Sequence, residues 1–200
     1  MKIVSFDSYD SYAFQSLLYE IYIHKILSPL KDHVLLLTNF YINDYGANRK
    51  KHLILLFENC EFTLSDVIEY RSTTLRKPLP EPELLFYMKE LSKSFAHLEK
   101  SSVCHRDIRP ENIWFCLKER KFKISFFSNA RFYQPTTSTS LDHNNLINTF
   151  RGKPYLCSPE VGKSLEVAGS TMGTYNAVMN DVYGLGLVFL CLKTSNMGRK

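Results

Sequence analysis

The chain has 200 residues, 44% of them apolar and 22% charged, and 25 Lys and Arg against 20 Asp and Glu give a formal net charge of +5. That is enough for one or two compact domains with a buried core, and no basic stripe with interleaved aromatics points to a nucleic acid partner. Five dispersed cysteines without a C-x-x-C pair predict reduced thiols and a cytoplasmic location, not a disulfide framework or zinc site. Neither an h-region after Lys2 nor the apolar run Leu185 to Leu192 is long enough to predict secretion or membrane insertion.

In chain order, Met1 to Val4 reads as the end of a strand. Phe14, Leu17, Leu18, Ile21 and Leu27 recur near helical spacing and predict a helix from about Ala13 to Leu27, closed by Pro29. Val34–Phe40 and Leu53–Phe57 predict paired strands around the Asn43 to Gly46 turn, with Arg49-Lys50-Lys51-His52 as a charged hairpin tip. Leu64 to Tyr70 predicts a short helix capped by Thr63 or Ser65. After Pro80 and Pro82, the residues Leu84, Met88, Leu91, Phe95 and Leu98 trace the buried stripe of a longer helix. Ile113–Cys116 and Lys121–Ser125 predict two short strands, residues 131–150 a polar loop, and the segment from about Asp181 a buried helix.

The stretch His105-Arg106-Asp107-Ile108-Arg109-Pro110-Glu111-Asn112 carries the chemistry. It has the form H-R-D-x-x-x-x-N, which puts a general base and a metal ligand on one short turn, so that an attacking hydroxyl and a metal-bound phosphate can meet in line. With Gly152 to Glu160 (like G-T-P-Y-x-x-[AS]-P-E) and Asp181 to Gly186 (like D-x-[WY]-S-x-G), the chain resembles the protein kinase domain family, Ser/Thr type, over nearly its whole length.

The resemblance implies an α+β, two-lobed fold, with a partial small lobe over 1–59 and a partial large lobe over 60–200, short at both ends. It implies ATP and Mg2+ as cofactors and a protein substrate or protein partner. Asp107 would be the base, and Arg109, in place of the usual lysine, would meet the transferring phosphate. Lys2, eighteen residues before Glu20, would pair with it and grip the phosphates. Phe57 would guard the adenine pocket, backbone groups from Glu58 to Cys60 would bond the adenine edge, Trp114 would lie beneath it, and Asn112 would hold a metal. Asp181 would brace the catalytic loop.

Further positions depart from the family pattern. Phe126 stands where the metal-binding Asp belongs and Ser128 where a Gly belongs, and no Asp or Glu occurs between Arg120 and Leu141. A phenyl ring offers a hard cation no oxygen, so weak or absent transfer is expected. Lys153 replaces a Thr near Asp107, where it would either pair with that carboxylate or face solvent. His24 occupies a normally apolar position and is expected to be buried, neutral and hydrogen-bonded. The Thr136 to Ser140 cluster is either a phosphorylation site able to pair with Arg106 or a plain polar loop. Three readings stay open: an impaired kinase, a pseudokinase acting as a binding or scaffold module, and a non-functional fragment.

Overall fold

The first third of the chain builds an antiparallel sheet around its most apolar strand. A computed structural model describes residues 1–44, 51–133, 146–147, 156–168 and 175–196. The strands β1 (Lys2–Phe6), β2 (Leu37–Asn43) and β3 (Lys51–Phe57) lie in the order β1-β3-β2. The alternation of side chains along β3 turns Leu53 and Leu55 inward, where neither is exposed at all. The two predicted strands are therefore present, the first three residues later and the second begun two residues earlier; Lys51 and His52, expected in the hairpin tip, belong to β3, while residues 45–50 lie outside the described residues.

Helix α1 (Tyr12–Leu27) starts where the Ser11 hydroxyl accepts the Phe14 backbone N–H at 3.3 Å. Its first half packs Phe14 and Leu17 on Phe6, Leu53 and Leu55. Its second half carries Ile23 and Leu27 into a different cluster with Val34, Leu98, Ile124 and Phe127. The helix thus spans two cores, and Glu20 and His24 lie between them.

Thr63 and Asp66 form a reciprocal capping box at the start of α2 (Leu64–Tyr70). Proline in the first turn and Glu81 and Glu83 beside it suit the start of α3 (Glu81–Lys100), because that end of a helix has no use for an amide hydrogen and attracts negative charge. The short strands β4 (Phe62–Thr63), β6 (Ile113–Cys116) and β7 (Lys121–Ile124) form a second sheet in the order β4-β6-β7. β5 (Val103–Cys104) pairs with β8 (Arg131–Phe132), bracketing the loop between β5 and β6. β9 (Leu146–Ile147) and β10 (Tyr175–Asn176) form a further pair, and α4 (Pro159–Ala168) precedes β10. These elements give the α+β architecture the sequence predicts.

The last helix, α5 (Ala177–Thr194), begins earlier than expected, because Asn176 caps it by accepting the Met179 N–H at 3.1 Å. Leu185, Val188 and Leu192 join Leu64, Ile68, Leu91 and Ile113 in the largest core cluster. Gly184 faces the 105–112 loop, and a Cβ there would lie 3.1 Å from the Ile108 Cβ, closer than packing allows without displacement. The helix is not buried on most sides: Met179, Val182 and Leu190 are exposed in this chain. Among the described residues it is the one helix long and apolar enough to cross a membrane by length and composition. Here its Asn180 and Asp181 are buried in the protein and accept backbone hydrogen bonds from Ser158, His105 and Arg106.

The cysteines correct the sequence reading. Cys60 and Cys116 are joined in a disulfide, with their Cα atoms 4.3 Å apart, whereas Cys104, Cys157 and Cys191 are free thiols. The separation of 56 positions between Cys60 and Cys116 hides this pairing from a reading of local spacing, and the sheet β4-β6-β7 supplies it.

Candidate active site

The loop after β5 is held from below by a buried carboxylate. Asp181 accepts the His105 N–H at 2.6 Å and the Arg106 N–H at 2.7 Å, bracing the backbone as expected. Burial pushes the Asp181 carboxyl up to about 7, against these two donations and the nearby Arg106 charge, which favour the anion. The loop then turns through Arg106 at a φ of 68°, in the left-handed region. Arg106 is 1% exposed and donates to the Tyr175 hydroxyl and the Asn129 carbonyl. It is thus already engaged inside the protein. The Thr136 to Ser140 cluster expected to pair with it lies outside the described residues, as does Lys153.

The turn Pro110–Asn112 returns the chain so that Asn112 faces Asp107. The Asn112 amide Nδ2 donates to the Asp107 backbone oxygen at 2.8 Å and to the Asp107 Oδ2 at 3.0 Å, leaving the Asn112 Oδ1 for another partner. The Arg109 Nε lies 3.4 Å from the same Oδ2. Asp107, Arg109 and Asn112 therefore form one cluster.

Between β1 and α1, the Lys2 Nζ donates to both Glu20 oxygens, at 3.0 and 2.7 Å. The Glu20 side chain is fully buried, and burial raises its pKa while Lys2 opposes the rise. Removing Lys2 would leave a carboxyl that burial favours as the neutral acid. The pair expected from the eighteen-residue separation is formed.

Phe57, Glu58 and Cys60 lie on the segment joining β3 to β4. The Glu58 N–H donates to the Leu36 carbonyl, and the Glu61 N–H to the Phe115 carbonyl. The Glu58 carboxylate accepts the Leu36 N–H at 2.7 Å and the Lys123 ammonium at 2.8 Å, and Lys123 also reaches Glu119 at 2.7 Å. Burial of Lys123 lowers its pKa, but the two carboxylates outweigh this and the net shift is upward. This clamp on the joining segment was not read from the sequence. Lys123 follows Phe122 in a short strand, and nothing in that pattern distinguishes a 1%-exposed lysine from a surface one.

Phe126 closes the site where a carboxylate was expected. Its φ of 64° and ψ of 67° are left-handed, a conformation that Asn and Asp tolerate and bulky side chains seldom adopt. The ring centroid lies 5.9 Å from that of Phe57 and 6.4 Å from that of Trp114, with the Lys2 Nζ 5.2 Å above it. Trp114 is half-buried and meets this ring edge-on, with its indole N–H unpartnered among the described residues. Ser128, in the position of the expected Gly, accepts the Ser16 hydroxyl at its carbonyl.

Phe127 is fully buried between His105, at 4.9 Å, and His24, at 5.0 Å. His24 is buried as expected, with its ring packed on Phe57 and Phe127 and the Leu35 backbone as its polar neighbour, although neither ring nitrogen has a hydrogen bond of full geometry among the described residues. Burial, then the charges of Lys2 and His105, hold it down to about 3, although the Leu35 backbone favours protonation.

A folded-state value below the unfolded 6.5 means that the unfolded chain takes up the proton first. Stability is then full above about 6.5 and falls as the pH drops toward 3, by up to about 1.4 kcal/mol per pH unit. His24→Leu should therefore lose stability less steeply between pH 6.5 and 4, read from urea midpoints at each pH. His33 and His105 also have lowered values and remain in both proteins, so the difference isolates His24. Parallel curves for the two proteins would rule the assignment out.

Sequence comparison agrees with this geometry. Residues 1–198 match the protein kinase domain family. Over 120 residues, 60% of the chain, the sequence is 31% identical to the probable serine/threonine-protein kinase HSL1 of Saccharomyces cerevisiae, a match covering 7% of that protein. It is 29% identical over 104 residues to the protein kinase gsk31 of Schizosaccharomyces pombe, covering 52% of the chain and 27% of that protein. It is also 29% identical over 99 residues to the serine/threonine-protein kinase SSN3 of Mycosarcoma maydis, covering 50% of the chain and 14% of that protein. The chain thus spans only a minor fraction of the length of these relatives.

Proposed function

Because the chain belongs to the protein kinase family, we propose that it binds ATP between the Lys2–Glu20 pair and the 105–112 loop and transfers phosphate to Ser or Thr hydroxyls of a protein at a low rate. One observation carries the proposal: Asp107, Asn112 and Arg109 form a single cluster, with Asn112 donating to Asp107 at 3.0 Å. In this arrangement Asp107 accepts the proton of the attacking hydroxyl, while the Asn112 amide fixes the direction of its carboxylate. Arg109 offers a guanidinium to the phosphate, and Lys2, anchored by Glu20, neutralises charge from the opposite wall. The Glu58 carbonyl and Cys60 N–H, which bond to no described residue, are the groups proposed to meet the adenine edge, with Phe57 behind it and Trp114 beneath.

Magnesium fits this donor set poorly. A hard octahedral cation calls for several oxygens, and the Phe126 ring, packed on Phe57 and Trp114, supplies none. Among the described residues there is no group of three His, Cys, Asp or Glu side chains that could hold a metal. No step of the transfer is assigned to a metal.

The second reading is a binding module that has kept the cleft and lost the transfer, and the Phe126 ring favours it. Nucleotide titration of the purified chain, with and without Mg2+, separates the two when combined with phosphate transfer to a generic basic protein. The kinase reading expects transfer that is slow yet abolished by Asp107→Asn. ATP binding with no Asp107-dependent transfer would leave the binding module. Failure to bind ATP at all would defeat both.

A further inference from the structure

Residues Glu58 to Glu61 join β3 to β4, and most of this segment is fastened to neighbouring strands. Cys60 is bonded to Cys116 at the end of β6. The Glu61 N–H donates to the Phe115 carbonyl, and the Glu61 carboxylate accepts the Leu117 N–H at 2.7 Å. Glu58 is held by its backbone and its side chain together. Its N–H donates to the Leu36 carbonyl, while its carboxylate accepts the Leu36 N–H at 2.7 Å on one oxygen and the Lys123 ammonium at 2.8 Å on the other. Lys123 thus ties the Glu58 end of the segment to β7.

A lysine that is 1% exposed calls for a reason. An apolar residue in such a place is often as stabilising as a buried ion pair, whereas the pair also fixes where its partner lies. Lys123 stands directly opposite Trp114 in the β6–β7 register, so the two side chains share one face of the sheet. On that side Trp114 packs with Phe57, Cys60 and Cys116. One residue therefore sets the Glu58 carboxylate against the strand pair that carries Trp114.

We propose that Lys123, acting through Glu58, is the positioning residue that makes the site select adenine over guanine nucleotides. On the ATP-binding reading above, on which this role rests, the Glu58 carbonyl accepts from the base and the Cys60 N–H donates to it. Adenine offers the complement, an exocyclic amino donor beside a ring-nitrogen acceptor. Guanine offers the reverse, a carbonyl oxygen beside a ring N–H. In the same pose guanine sets acceptor against acceptor and donor against donor, and that rejection is strong only while the protein groups cannot shift. A Glu58 released from Lys123 lets the segment shift, and the discrimination falls.

The test is the ratio of the ATP and GTP dissociation constants, from titrations of the purified chain. Loss of folded protein lowers the amount of both nucleotides bound, so a merely structural role would leave that ratio unmoved. Wild type should prefer ATP by about a hundredfold, roughly tenfold for each mispaired group. Lys123→Met, which keeps the bulk of the side chain and removes its charge, should cut the preference to about tenfold or less. Glu58→Gln should move the ratio the same way, because both neighbours of the carboxylate are donors and an amide nitrogen can accept from neither. It decides the question if Lys123→Met does not fold. Glu119→Gln is the control: its side chain is 42% exposed and meets Lys123, outside the joining segment, and the wild-type ratio should persist. An unchanged ratio in either Lys123→Met or Glu58→Gln would overturn this role for Lys123 and leave the ATP site standing. So would a wild type that binds ATP and GTP equally, or a Glu119→Gln that loses as much preference as Lys123→Met. A wild type that binds neither nucleotide would instead defeat the ATP-binding reading, and this role with it.

Discussion

Phe126→Asp is expected to make ATP binding magnesium-dependent and to raise phosphotransfer by on the order of a hundredfold or more, the rate equivalent of several kcal/mol of restored charge stabilisation. The backbone is already suited to the change. At a φ of 64° and ψ of 67°, the position has the left-handed conformation that Asp adopts more readily than Phe, so the substitution relieves about 1–3 kcal/mol of local strain. Against this stands the loss of the ring contacts with Phe57 and Trp114, which for a half-buried aromatic costs a similar amount. The two effects offset, and the melting temperature should move by only a few degrees. The new carboxylate would offer a hard cation the oxygen ligands that the Phe126 ring lacks. The gain should vanish in Phe126→Asp combined with Asp107→Asn. An ATP affinity that stays indifferent to Mg2+ in Phe126→Asp would show that more than one carboxylate separates this cleft from a working metal site.

Asp181→Ala should cost about 3–5 kcal/mol of folding free energy, the range for removing one partner of a buried polar cluster. Asp181 is 6% exposed, and its two oxygens take the His105 and Arg106 N–H groups at 2.6 and 2.7 Å. Alanine leaves both donors buried without an acceptor, in a loop that closely packed Gly184 pins against α5. Since a domain has only about 5–15 kcal/mol to lose, the variant should unfold at markedly lower urea and lose nucleotide binding with it. Asp181→Asn keeps one acceptor oxygen and should fall between alanine and wild type. A loss below about 1 kcal/mol for Asp181→Ala would mean that the loop is held chiefly by other contacts, such as the His105 ring nitrogen on the Ser125 carbonyl.

The cluster of Asp107, Arg109 and Asn112 was legible because a short turn fixes their relative positions, whatever surrounds them. The Lys2–Glu20 pair was legible through family resemblance, and its geometry agrees. The helices and strands were legible from periodicity, with α2 found at its expected bounds because Thr63 and Asp66 form a local cap. The errors share one physical cause. The enclosure of the His24 ring by Phe57 and Phe127 was not legible, since both lie far from it in sequence. The Cys60–Cys116 bridge and the grip of Lys123 on Glu58 likewise join residues 56 and 65 positions apart. The exposed face of α5 was misjudged because composition records how apolar a helix is, not which neighbours cover it.

The sequence by itself determined the family, the residues of the 105–112 motif and the absence of a carboxylate at position 126, since each is a matter of residue identity at a fixed local spacing. Only the tertiary structure decided what fills that absence. The fold brings the Phe126 ring against Phe57, Trp114 and Lys2, and it encloses the His24 ring between Phe57 and Phe127. Both outcomes depend on contacts between segments that meet only when α1 packs across the two cores, and such contacts have no local signature in the chain.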